Sequence, residues 1–81
     1  MNRLLKNSVL KTTDYQVRLE DADGDAIDVW SYDTLAEAQA EYDRETPGVD
    51  GITAVEIERV IRYHPGRFGE SQYKVLRRKE T

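Results

Sequence analysis

The sequence predicts a small α+β fold of ββαββ order, an antiparallel sheet with one helix packed on one face. Three observations predict it. Residues 15–20, 26–32, 54–63 and 72–77 carry apolar side chains at a period of two, the mark of half-buried strands. One capped stretch of strong helix formers lies between the second and third of these runs. Turn residues separate the runs, with Asp-Gly at 23–24 and Pro-Gly at 47–48 and 65–66.

Residues 1–13 are the least patterned. Leu4, Leu5, Val9 and Leu10 fit a short helix, an edge element or a loose arm. The first clear strand is 15–20, with Tyr15, Val17 and Leu19 alternating against Gln16, Arg18 and Glu20. Asp23-Gly24 supplies the positive-φ position of a tight hairpin. In the second strand, Ile27 and Val29 share one face, expected inward; Asp28, Trp30 and Tyr32 share the other, expected uncovered.

A helix is predicted from 34 to 45. Thr34 and Glu37 have the spacing of a reciprocal capping box. Leu35, Ala38 and Tyr42 form its apolar stripe, with Glu37, Glu41 and Glu45 expected on the other side. Pro47 and Gly48 end it. The third strand runs to Tyr63; Val60 is out of phase with Val55, Ile57 and Ile61 and predicts a bulge near 58–60. After a loop at 64–69, the fourth strand is expected to turn Tyr73 and Val75 inward.

Eighty-one residues predict one domain spanning 1–81 with little core to spare for a deep pocket. A homodimer would be one way to enlarge that core. There are no cysteines, so disulfides, thiolate metal sites and cysteine nucleophiles are excluded. Residues 1–10 hold no continuous apolar run, and nothing later reaches transmembrane length. A cytoplasmic setting is the expectation, with no membrane partner.

The charges are sorted into blocks. Residues 20–58 hold thirteen acids against one base, Arg44, a net of −12. Residues 1–19 carry +3 and residues 59–81 carry +5, so the formal total is −4. Opposite fields on one small chain steer association.

Chemistry-bearing constellations are few. Asp21, Asp23 and Asp25 alternate like the start of a calcium loop. However, an EF-hand wants glycine at its sixth position, here Ala26, and a bidentate Glu at its twelfth, here Tyr32. A solvated turn is the expectation, with no metal and no cofactor. His64 is the one histidine, and no triad spacing supports it as a base. No glycine-rich phosphate loop is present. The chain is therefore expected to be non-enzymatic.

Two surfaces remain. Asp28, Asp33, Glu37, Glu41, Asp43 and Glu45, with Trp30 and Tyr32 as aromatic anchors, form a candidate partner-binding face. Such a face suits a basic, nucleic-acid-handling protein, whose cationic groove expects spaced negative charge. The plain alternative is that the acids keep a small domain soluble. Arg59, Arg62, Arg67, Lys74, Arg77 and Arg78 are the candidate nucleic-acid contacts of a rival reading, a small nucleic-acid-binding regulator.

In size, lack of cysteine, ββαββ order and the acidic block around Trp30-Ser31-Tyr32-Asp33, the chain resembles small acidic proteins of bacteriophages and mobile elements. Anti-CRISPR inhibitors and other DNA mimics are of that kind. The resemblance implies a protein that binds host nucleic-acid machinery and inhibits it without catalysis, in the host cytoplasm. The basic ends depart from a mimic that is acidic throughout, which counts against mimicry more than against protein binding.

Overall fold

A computed structural model of the chain describes residues 10–64 and 71–81. Strands β1 (Leu10–Glu20), β2 (Ala26–Tyr32), β3 (Ala54–His64) and β4 (Ser71–Glu80) form an antiparallel sheet of order β2-β1-β3-β4. Helix α1 (Leu35–Arg44) lies between β2 and β3 in sequence. This is the predicted α+β fold. The first strand begins earlier than expected, because 10–13 pair with β3 as part of β1.

The hairpin β1–β2 turns over 21–25. Gly24 sits at φ +83°, and its N–H donates to the Asp21 carbonyl at 3.0 Å. That left-handed backbone is the reason for glycine here. The helix starts as expected. The Thr34 hydroxyl accepts from the Glu37 N–H at 3.2 Å, and the Glu37 carboxylate accepts from the Thr34 N–H at 3.3 Å. Two amides that the first turn leaves without partners are thereby satisfied.

Val17, Leu19, Ala38, Tyr42, Ile52, Val55 and Ile57 form the buried core between helix and sheet. Side chains as fully buried as Val17, Val55 and Ile57 each contribute about 1.5–3 kcal/mol through the hydrophobic effect.

The face assignment of β2 corrects the sequence expectation. Val17 pairs with Trp30 and Tyr15 with Tyr32, so the two aromatic residues lie on the helix side and pack on the core. Ile27 and Val29 are exposed. The cause is a bulge: Leu19 pairs with Asp28 but Glu20 with Ala26, which leaves Ile27 as the extra residue. One inserted residue reverses which face the neighbouring side chains take.

A second bulge lies in β4, not in β3. Ile57 pairs with Arg77 and Glu58 with Val75, so Leu76 is extra, and it packs against the core. Tyr73 and Val75 consequently stand exposed, contrary to expectation. Val60 needs no bulge in its own strand. It is fully buried on the face opposite the helix, with Asp14 and Tyr73 as its cross-strand partners. Leu35, expected in the core, is 38 % exposed.

Helix length decides what the sheet leaves uncovered. Ten residues of helix span about 15 Å, while an eleven-residue strand such as β1 spans roughly 36 Å. The helix packs on β1, β2 and β3, and β4 reaches it through the Lys79 side chain.

Candidate binding surfaces

The strand ends separate the charges. The hairpin end carries the 21–25 turn and the 45–53 segment, which Thr53 ties to β1 by donating its N–H to the Glu20 carbonyl at 2.8 Å. The Thr53 hydroxyl also donates to the Asp21 carbonyl at 2.7 Å. Asp21, Asp23, Asp25, Glu45 and Asp50 therefore gather toward this end, while Asp33 and Glu37 follow Tyr32, which pairs with Tyr15 in mid-strand. Lys11, Arg59, Arg62 and Lys74 lie toward the opposite ends of β1, β3 and β4.

The two faces of the sheet treat charge differently. On the face opposite the helix, charges are paired. Arg78 is held by Glu80, by Glu20 at 3.2 Å and by Glu56. The hydrogen bonds that Arg78 donates to Glu80, Glu20 and Glu56 keep its guanidinium protonated well beyond its ordinary range. Arg18 pairs with Glu20 at 3.1 Å, and Gln16 donates to Glu58 at 2.6 Å. Arg62 Nε stands 3.5 Å from Asp14 Oδ1, near enough to share charge but not aligned as a hydrogen bond. Glu20 and Glu56 are almost wholly buried, and Arg78 offsets the cost of desolvating them.

Uncompensated charge collects elsewhere. Asp21, Asp23, Asp25, Asp28, Asp33, Glu37, Asp43, Glu45 and Asp50 make no ion pair among the described residues. They lie on the hairpin turn, β2, the helix and the segment after it. Lys11, Arg59, Lys74 and Arg77 likewise have no ion-pair partner among the described residues, and cross-strand pairing puts them on the helix side of the sheet.

The predicted acidic face is only partly assembled. Asp28, Asp33, Glu37 and Asp43 are exposed and Glu45 is half-buried. Glu41, expected among them, is 8 % exposed. Its carboxylate accepts from the Tyr32 hydroxyl at 3.2 Å and pairs with Arg44. A hydrogen bond with Glu45 holds Glu41 below the ordinary carboxylate range, and the same bond holds Glu45 above it. Burial, reinforced by Glu41, raises the Tyr32 phenol. Tyr32 and Trp30 thus belong to the packing under the helix and not to an open recognition surface.

The predicted basic set also divides. Arg62 and Arg78 are neutralised on the face opposite the helix. Arg59, Lys74 and Arg77 share the helix-side face, and Arg67 lies outside the described residues. Lys11 and Tyr15 were missed as members of this surface. The signal existed, since Lys11, Thr13 and Tyr15 keep the phase of Val17 and Leu19. Lys79 is committed elsewhere: its Nζ donates to the Tyr42 carbonyl at 2.7 Å and sits 4.4 Å from the ring centre.

At the hairpin tip, carboxylate oxygens of Asp21, Asp23 and Asp25 lie within 4.8 Å of one another. Asp21 Oδ1 is already used, accepting from the N–H groups of Asp23 at 2.9 Å and Asp25 at 3.0 Å. That is how an aspartate closes its own turn. No described helix is long and apolar enough to cross a membrane.

No family model matches the sequence, and neither a curated protein nor a solved structure was found similar to it.

Proposed function

We propose that this chain is a non-enzymatic protein-binding module whose acidic pole docks on a basic, nucleic-acid-handling partner and modulates or inhibits it. The observation that carries this reading is the run of carboxylates at one pole without ion-pair partners among the described residues, while those on the opposite sheet face are paired. Acids serving solubility alone would be interspersed with bases. Clustered uncompensated carboxylates steer and orient a cationic surface.

The contact set is Asp28, Asp33, Glu37, Asp43 and Glu45, joined by Asp21, Asp23, Asp25 and Asp50. Glu41, Trp30 and Tyr32 hold the helix on the sheet beneath it. The test reverses Asp28, Asp33 and Asp43 to Lys, all exposed, with circular dichroism as the folding control. The partner is captured from cells, identified by mass spectrometry and purified, and its affinity is measured at two salt concentrations. The folded variant binds more weakly and with less dependence on salt. Unchanged binding by that variant, or a captured partner with no basic surface, contradicts the proposal.

A further inference from the structure

The helix-side face of the sheet is two surfaces. Over Val17, Leu19, Val55 and Ile57 it is the core. Beyond the helix it continues as sheet that no described element covers. Register places the side chains there unambiguously, because cross-strand partners share a face. Lys11 pairs with Tyr63, Tyr15 with Arg59, Arg59 with Lys74, and Ile57 with Arg77.

This half-face has three properties together. Its four cations, Lys11, Arg59, Lys74 and Arg77, make no ion pair among the described residues, and Lys11, Lys74 and Arg77 are exposed. Around Lys11, Arg59 and Lys74 no described strand residue on this face is acidic, since Asp14 and Glu58 point to the opposite side, while Arg77, beside Ile57, borders the helix near Tyr42. Two tyrosines lie among the cations. Tyr15 is half-buried and packs against the core, and Tyr63 is half-buried with its hydroxyl donating to Gln72 at 3.2 Å. Both rings are thereby braced.

We propose that this helix-free half of the sheet is a docking surface for one strand of nucleic acid. The cations would meet phosphates, and Tyr15 and Tyr63 would stack bases. A single strand fits better than a duplex because stacking needs unpaired, splayed bases, and the surface has aromatic rings on a sheet face from which no element projects among the described residues. An acidic polypeptide would satisfy the charges but leave the rings without stacking partners. The surface does not depend on the acidic pole. Both would operate together if the protein partner itself handles nucleic acid, and each fails separately.

The experiment is fluorescence anisotropy with labelled oligothymidylate and oligouridylate at low and moderate salt. A duplex of the same length and polyglutamate serve as competitors. Wild type binds both single strands, and both competitors displace them poorly. Lys11→Glu with Lys74→Glu abolishes most binding and flattens the salt dependence. Tyr63→Ala loses roughly five- to a hundredfold in affinity, while Tyr63→Phe, which keeps the ring, retains it. Arg62→Gln, on the opposite face, binds as wild type. Circular dichroism confirms that each variant folds. The proposal is overturned if wild type fails to bind at low salt, if polyglutamate competes as well as the oligonucleotide, or if Tyr63→Ala binds normally.

Discussion

Ile57 and Leu35 mark the two ends of the packing scale in this chain. Ile57 is wholly enclosed between helix and sheet, and Leu35 at the start of the helix is 38 % exposed. Truncating Ile57 to Ala removes packed atoms and leaves a cavity that a strand cannot collapse. A loss of about 2–5 kcal/mol is expected. Leu35→Ala removes atoms that already touch water, and about 1 kcal/mol is expected. Urea unfolding of both variants measures the difference, and equal losses would mean that the helix is rotated from its described setting. The sequence marked Val17, Leu19, Val55 and Ile57 as core through simple alternation. It did not mark Leu35 as peripheral, because a helical stripe shows which side faces inward but not how far the helix end overhangs the sheet.

At the scale of elements, the helix contains its own pH-sensitive contact. Glu41 and Glu45, one turn apart, share a hydrogen bond that raises Glu45 above the ordinary value of 4.5 and lowers Glu41. A raised folded-state pKa means that Glu45 contributes its stability below the ordinary carboxylate range and loses it as pH rises through the raised value. The lowered Glu41 has the opposite sign: its contribution is present above that range and is lost as pH falls through its own value. Glu45→Gln keeps a hydrogen-bond donor at every pH. The variant therefore melts close to wild type in acid and above it at neutral pH, as thermal unfolding across that interval would show. A variant less stable than wild type at pH 7 would contradict this. Element boundaries, the capping box and the turn glycine were legible in local sequence because each rests on neighbouring residues. The two bulges were not. Ile27/Val29 and Trp30/Tyr32 are both apolar pairs at period two, and only the register with β1 decides between them. The larger area that aromatic side chains bury was the one available signal for turning Trp30 and Tyr32 inward.

For the molecule as a whole, antiparallel pairing brings Lys11, Arg59, Arg62 and Lys74 to one end of the sheet, while Arg77, Arg78 and Lys79 of the same basic block pair toward the hairpin end. The blocks themselves were plain in the sequence. Which charges cancel was not, since Arg78 meets Glu20 and Glu56 from positions 58 and 22 residues away. Pairing on one face leaves the remaining charge of both signs on the turn, the helix and the helix side of the sheet. Two ligands of opposite charge should then bind at once without competing.

The most direct measurement is an amide NMR titration of the uniformly labelled chain with two probes, an arginine-rich peptide and oligothymidylate, separately and together. The peptide should shift amides of 21–37 and 43–50. The oligonucleotide should shift those of 11–15, 59–63 and 72–77, and neither probe should displace the other. Overlapping sets of shifts, displacement of one probe by the other, or oligonucleotide shifts centred on the acidic turn would contradict the two-pole account.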